Sequence, residues 1–373
     1  MIINTINFYR CYLYFHNNGK LNECKIFNNI SIINHIFTLN LIYKLWDKKH
    51  YTSESFGTNM KQNLQNISLP FTGICIKLFM INKYVYLFSI LVIYPMFIFI
   101  YSIVNYLYNR VNIIKTYNKQ LLCSDSWFCI WRINSTLIQY FYTKTLSTNL
   151  KYENKKLFLL EANKLNIPIS PYKIDDYIIK NINIEGGLGI KLYKNAFNNG
   201  EWIIQKKLTN NDFISSLLPD NAPLSTIRVV TLYDKEYDCY YTLSAVFRAG
   251  INNSITDHNS ILYNINIDTG EIEDGVSNNY WYKIGFKNIF DKTVFKNRRY
   301  DKIKDQVINN IQEIKIICEI AHKEIIPDIP IAGWDVALTK EEGICLLEVN
   351  LSCNLYLSIP CDNSKSQLIK TIE

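Results

Sequence analysis

Residues 331–350, Ile-Ala-Gly-Trp-Asp-Val-Ala-Leu-Thr-Lys-Glu-Glu-Gly-Ile-Cys-Leu-Leu-Glu-Val-Asn, constrain the chain more than any other stretch. Two runs of strand composition flank the polar, Gly-ended turn Lys340-Glu341-Glu342-Gly343, the pattern of a β-hairpin. A hairpin symmetric about the bond between Glu341 and Glu342 sets Asp335 across from Glu348. Asn350, two residues on, shares their face, while Leu347 and Val349 are expected to point the other way into a core. Two opposed carboxylates in an apolar hairpin repel unless a cation sits between them. Hard oxygen ligands that leave positions open for phosphate oxygens suit Mg²⁺ better than Zn²⁺. An ordinary amphipathic hairpin with solvent-facing acids has the same pattern, so the rest of the chain must decide.

With 373 residues, 48% of them hydrophobic and 20% charged, the chain is long enough for two or three domains and a substantial core. A net charge of +7 fits a phosphate-bearing partner or an anionic membrane surface. No recognition helix, zinc knuckle or basic tract marks a nucleic-acid binder. The ten cysteines include no Cys-x-x-Cys and no partner His at metal spacing, which predicts free, mostly buried thiols in a reducing, cytoplasmic compartment. His322, inside a helical pattern, reads as a packing or surface residue.

Residues 1–150 are expected to form an aromatic-rich, helical region, although 1–60 show no clean period and no assignable chemistry. Within them, 84–109 carry no charged residue, with Lys83 before and Arg110 after. That reaches the roughly 20 residues of a membrane span, although Pro95 and the Tyr and Asn content weaken the signal. A single span or interfacial anchor at the inner face of a membrane stands against a buried or membrane-apposed helical hairpin.

The pattern changes at Asn154. Residues 155–165 predict a helix with Leu157, Leu160, Ala162 and Leu165 on one face, stopped by Pro168 and Pro171. Tyr177 to Lys180 is a short strand, followed by Gly186, Gly187 and Gly189, whose backbone suits an anion nest. Glu201 to Leu208 predicts another strand. Ser225 to Tyr233 and Tyr240 to Arg248 predict a hairpin in which Arg228 and Arg248 are equally far from Asp238. Two guanidiniums at one end of a hairpin repel unless they share an anion, or one of them pairs with an acid. Ile261 to Ile267 is one more strand, and 301–325 predict an amphipathic helix with Ile303, Val307, Ile311, Ile314, Ile317 and Ala321 inward.

In this order, the helix at Lys155, Lys180 with its glycines, the strand end at Gln205 to Leu208, the paired Arg strands and the Asp…Glu-x-Asn hairpin resemble the ATP-grasp superfamily. Within it, they resemble the sugar-transfer-associated branch found among polysaccharide biosynthesis proteins. The resemblance covers roughly Asn154 to Pro360. Ser225 to Thr231, Ala332 to Ala337 and Leu347 to Asn350 carry it most specifically.

The resemblance implies an α+β ATP-grasp fold, residues 151–373, in which a nucleotide-covering lobe (151–215) and a metal and substrate lobe (216–373) clasp ATP. Lys155, with Lys156 as the alternative, and Lys180 would contact the nucleotide, and Gly186, Gly187 and Gly189 would cover its phosphates. Gln205, Lys206 and Leu208 would lie in the hinge that reads adenine. Arg228 and Arg248 would be catalytic, and Asp335, Glu348 and Asn350 would hold one or two Mg²⁺. The implied activity is ATP- and Mg²⁺-dependent ligation of a small carboxylate or sugar-linked acceptor to an amine through an acyl phosphate, in cell-surface polysaccharide biosynthesis. A kinase on the same fold, or a non-catalytic membrane-anchored nucleotide-binding module, are the alternatives. Relatives carry an Asp-Asn pair and then a Gly-Gly turn after the second Arg; here 256–261 read Thr-Asp-His-Asn-Ser-Ile, without the glycines. Asp335→Asn is expected to stop turnover and spare the fold.

Overall fold

The computed structural model describes residues 1–64, 76–122, 127–173, 177–180, 190–193, 204–250, 260–277 and 302–352. The amino-terminal part is helical: α1 (Ile2–His16), α2 (Ile30–Leu45), α3 (Phe56–Asn63), α4 (Lys83–Phe88), α5 (Tyr94–Asn109), α6 (Ile113–Leu122) and α7 (Trp127–Thr145). Short polar side chains set several starts, because each accepts from a backbone N–H that the first turn leaves unpaired. Asn29 caps α2, Ser55 caps α3 and Asn82 caps α4 in this way. Phe8, Tyr12 and Phe15 of α1 pack with Ile36, Leu39 and Ile42 of α2 and with Phe56 and Met60 of α3 in one core.

The charge-free run forms a continuous helical rod, Lys83–Asn109, in which α4 and α5 are joined by a π-helical turn, Ser89–Ile93. Pro95 explains the joint. Its nitrogen carries no hydrogen to donate to the carbonyl of Leu91 four residues back. The Tyr9 hydroxyl of α1 donates to that carbonyl instead, at 2.6 Å.

A second core begins where the first ends: on α7, Leu137 belongs to the first and Ile138 to the second. Next comes α8 (Lys155–Lys164), whose first turn is capped by the Asn154 side chain. Two short antiparallel pairs follow, β1 (Tyr172–Lys173) with β4 (Ile204–Gln205) and β2 (Tyr177–Lys180) with β3 (Ile190–Tyr193), before α9 (Asp212–Leu217). The main sheet has six antiparallel strands: β5 (Thr226–Asp234), β6 (Cys239–Gly250), β7 (Ser260–Ile265), β8 (Ile272–Ser277), β9 (Ile331–Thr339) and β10 (Gly343–Asn350). Their order is β10-β9-β5-β6-β7-β8. One face packs on α8 and on α10 (Ile311–Ile325), with Trp334 fully buried between them.

Three details depart from the sequence reading. The long helix expected over 301–325 starts only at Ile311. Residues 305–308 spend their backbone bonds on the turn before β8, where Ile308 N donates to Gly270 O and Ile272 N to Gln306 O. Val307 is therefore exposed, although Ile303 is buried as expected. In α8 the buried face is Phe158, Leu159 and Ala162, because Phe158 packs near Trp334; Leu157 and Leu165 are exposed. Of the strand expected over 201–208, only Ile204–Gln205 pairs among the described residues.

His322 is a packing residue, as expected. The Trp334 indole N–H donates to Thr231 Oγ1 (2.8 Å), Thr231 Oγ1 meets His322 Nδ1 (2.7 Å), and His322 Nε2 meets Ile329 O (2.7 Å). This assigns the proton to Nε2, since a carbonyl can only accept. Burial pushes the imidazole down to about 4, so it is neutral at pH 7. Cys11, Cys24, Cys239, Cys318 and Cys345 are free, and Cys11 and Cys24 face each other with sulfurs 3.7 Å apart.

Candidate functional site

The turn of the β9–β10 hairpin differs from the symmetric one the sequence suggests. Gly343 pairs with Thr339 around the three residues Lys340, Glu341 and Glu342. Gly343 has φ +69°, the left-handed conformation that closes a three-residue loop and that glycine adopts without strain. This register would set Asp335 opposite Leu347. A bulge between Leu346 and Glu348 shifts it by one residue, so Glu348 pairs with Asp335 and Asn350 with Gly333. The expected pairing is found, by a different route. Leu346 and Val349 face the main core, while Leu347 packs beside Leu208, Ala337 and Cys345 on the opposite face. The outer edge of the bulge is held by the segment after α8: Leu346 N donates to Pro168 O at 2.8 Å, and Ser170 N donates to Leu346 O at 3.4 Å.

β5 lies between β9 and β6, which sets Arg228 in register with Asp335 and with Val246. Arg248 pairs with Thr226, two residues along from the position that a symmetric hairpin would give it, but on the same face. Both guanidiniums reach one carboxylate. Arg228 Nε donates to Asp335 Oδ1 at 2.5 Å and Nη2 to Oδ2 at 3.1 Å, while Arg248 Nη1 donates to Oδ2 at 3.3 Å. The anion that the arginines share is thus Asp335 itself. Burial opposes the charge, but the Arg228 and Arg248 guanidiniums outweigh it and hold the Asp335 carboxyl down at about 2.

Glu348 is engaged from two sides. Lys155 Nζ, at the first turn of α8, lies 2.7 Å from Oε2, and the Asn350 amide donates to Oε1 at 3.2 Å. Next to them stands Glu153, which the sequence reading missed. Its Oε1 accepts from Leu351 N (3.1 Å) and Ser352 N (3.4 Å), fixing the chain where it leaves β10. Burial pushes the Glu153 carboxyl up, with the nearby Glu348 charge adding to it. Nothing in a single sequence marks Glu153 beyond its place one residue before the Asn154 cap.

The remaining expected residues divide in two. In the hinge segment, Gln205 donates to Ser170 Oγ, Lys206 pairs with Glu342 at 3.2 Å, and Leu208 is buried against Ala337 and Cys345. This segment meets the turn end of the hairpin, where Asn211 N donates to Leu338 O and Lys340 N to Thr209 O. An apolar patch around Leu208 and Leu347 therefore lies on the same hairpin face as Asp335 and Glu348. Lys180 is placed at the end of β2, paired with Ile190. Gly186, Gly187 and Gly189, and residues 256–259 of the acceptor segment, lie outside the described residues.

Among the described residues no group of three or more His, Cys, Asp or Glu is gathered as for a metal ion. The donor set is instead two carboxylates and one amide, Asp335, Glu348 and Asn350. Such a set fits Mg²⁺, which takes one or two carboxylates and keeps its other positions for water and phosphate oxygens, and it is the wrong set for Zn²⁺. Lys155, Arg228 and Arg248 neutralise these carboxylates internally.

A family profile described as sugar-transfer associated ATP-grasp matches residues 173–373. Among solved structures, the ATP-grasp ligase PsnB complexed with a minimal precursor aligns at a TM-score of 0.32 and 13% identity, over 64% of this chain and 69% of that one. N5-carboxyaminoimidazole ribonucleotide synthetase from Thermotoga maritima aligns at a TM-score of 0.31 and 12% identity. That alignment covers 59% of this chain and only 48% of the synthetase. PsnB with its minimal precursor, Mg and ADP aligns at a TM-score of 0.30 and 14% identity, over 65% of this chain and 67% of that one. No curated protein matches the chain.

Proposed function

Because a family profile spans more than half of it, the chain belongs to the sugar-transfer associated ATP-grasp family, and on that premise we propose that it is an ATP- and Mg²⁺-dependent ligase. It joins a carboxylate to an amine through an acyl phosphate, in the synthesis or modification of cell-surface polysaccharide. Residues 151–373 form the catalytic unit, and residues 1–150 hold it at the cytoplasmic face of a membrane.

One observation carries this reading. The two guanidiniums, the two carboxylates and the amide share one face of the β10-β9-β5-β6 sheet: Arg228 and Arg248 bond Asp335, Asn350 bonds Glu348, which pairs with Asp335 in the ladder, and Lys155 reaches Glu348 from α8. Two arginines around one buried carboxylate form a site for exchange. A phosphate oxygen presented to them replaces the Asp335 oxygens as their acceptor. The freed carboxylate, with Glu348 and Asn350, is then the oxygen set for a divalent ion. When bound, Mg²⁺ supplies charge neutralisation between the phosphates and the carboxylates.

The roles of the chain's residues follow. Arg228 and Arg248 hold the transferring phosphoryl group and stabilise the charge that grows on its oxygens. Lys155 leaves Glu348 for the nucleotide phosphates. The patch at Leu208 and Leu347 offers the adenine an apolar seat beside the hinge. A substrate carboxylate oxygen then attacks the γ-phosphorus and ADP leaves. The amine attacks the acyl carbon and inorganic phosphate leaves. No protein nucleophile is required, so positioning supplies most of the acceleration.

The test is product analysis. Purified protein with ATP, Mg²⁺ and a panel of carboxylates and amines should give ADP, free phosphate and an amide. ADP with a phosphate ester would replace the ligase by a kinase, and an absence of nucleotide binding would refute both.

A further inference from the structure

The rod Lys83–Asn109 has two unlike faces. Tyr86, Ile90, Pro95, Ile98 and Ser102 are buried against the helical part, whereas Tyr84, Phe88, Val92, Met96, Ile100 and Leu107 are exposed. The exposed residues recur every fourth position from 84 to 100. The π-turn absorbs the extra residue between Ile90 and Pro95, which keeps each stripe on its own side. Hydroxyl bonds fasten the rod to the neighbouring helices: Tyr86 to Leu39 O of α2 (2.9 Å), Tyr94 to Gln120 O of α6 (3.0 Å) and Tyr9 of α1 to Leu91 O (2.6 Å).

A second observation names what covers the open face. From Ser55 to Ser124 the chain has no Asp or Glu, while it has Lys61, Lys77, Arg110, Lys115 and Lys119, besides Lys83, which pairs with Asp47. Arg110, Val111, Ile114 and Lys115, just past the rod, are exposed. Apolar side chains beside an acid-free basic run complement an anionic lipid surface, which attracts each nearby cation by about 1 kcal/mol.

We propose that this rod lies in the plane of an anionic membrane surface, with its Tyr84 to Leu107 stripe inserted, and does not cross the bilayer. Its 27 residues are long enough to cross, at about 40 Å. Crossing would nevertheless carry its partners along. Among the described residues no other helix is long and apolar enough to span, and α6 on its flank bears Lys115 and Lys119. An in-plane helix needs only one apolar face, which is what the rod offers.

The experiment uses the full chain and measures partition without ATP, so its failure leaves the nucleotide reading untouched. Wild type should pellet with vesicles containing about one-third phosphatidylglycerol, and about tenfold less with pure phosphatidylcholine. The variant Phe88→Asp/Met96→Asp, altered only at exposed positions, should keep its circular dichroism and lose vesicle binding about tenfold. In sealed membrane vesicles from expressing cells, trypsin should cut at Lys77 and Arg110 from the same side. Cutting from opposite sides, equal pelleting with both lipids, or a variant that pellets like wild type would overturn the proposal. So would a stripe that proves to join two copies of the chain, shown by a dimer that the variant dissociates while wild type ignores vesicles.

Discussion

Replacing Asp335 by Asn tests the site where its electrostatics are strongest. The carboxyl titrates at about 2, against an ordinary 3.8, because two guanidiniums overcome its burial. That shift favours the charged form at pH 7 by roughly 2–3 kcal/mol. Asparagine keeps the shape and one acceptor oxygen but removes the charge that both little-exposed guanidiniums share. Breaking a buried pair from one side costs about 3–5 kcal/mol, so a loss of about 2–4 kcal/mol is expected. For a unit of about 200 residues this lowers Tm by roughly 5–15 °C. The assay is urea denaturation of wild type, Asp335→Asn, Arg228→Gln and the double variant, all without nucleotide. The double variant should lose clearly less than the sum of the singles, because they share one interaction. A single-variant loss below about 0.5 kcal/mol, or strict additivity, would show that the ion pairs contribute nothing to the fold. The sequence alone suggests that Asp335→Asn spares the fold. The arginines that share this carboxylate are the reason to expect otherwise.

Two further outcomes follow. His322 titrates at about 4 when folded and near 6.5 when unfolded, so between these values the unfolded chain binds more protons and stability falls as pH falls. This residue alone should remove about 2 kcal/mol between pH 7 and pH 5, and the imidazole signal in NMR should show no protonation above pH 5; protonation near 6.5 would contradict the buried Thr231–His322–Ile329 chain. Glu153→Ala should free the end of β10 and weaken Mg²⁺-dependent nucleotide binding by about three- to tenfold, through positioning of Glu348 and Asn350. Glu153→Gln, which keeps an acceptor oxygen, should recover much of the loss. Equal loss in both, with unchanged Mg²⁺ dependence, would make Glu153 a purely structural residue.

Local chemistry made much of this fold legible, and long-range pairing limited the rest. The change of pattern at Asn154, the prolines after α8 and the strand composition of β5, β6, β9 and β10 are signals within a few residues of what they specify, and all of these elements are present. Which strand lies next to β5 is decided about a hundred residues away. Arg228 could therefore be seen as one of a pair of cations, but not as the partner of Asp335. The facing of Asp335 and Glu348 was legible only because two departures cancel, a three-residue loop and a one-residue bulge. Glu153 acts through backbone amides, which leave no trace in residue identity. The start of α10 was misplaced because Ile303 and Val307 fall at helical spacing while their backbone serves the turn at Gly270.

The central claim is that Asp335, Glu348 and Asn350 hold a divalent ion facing a nucleotide. Calorimetric titration of ATP into the full chain, with Mg²⁺ and then with the metal chelated, measures this directly, with Glu348→Gln in parallel. Binding should need Mg²⁺ and weaken at least about tenfold in the variant, which corresponds to about 1.4 kcal/mol. ATP binding that ignores both the metal and the substitution would contradict the account.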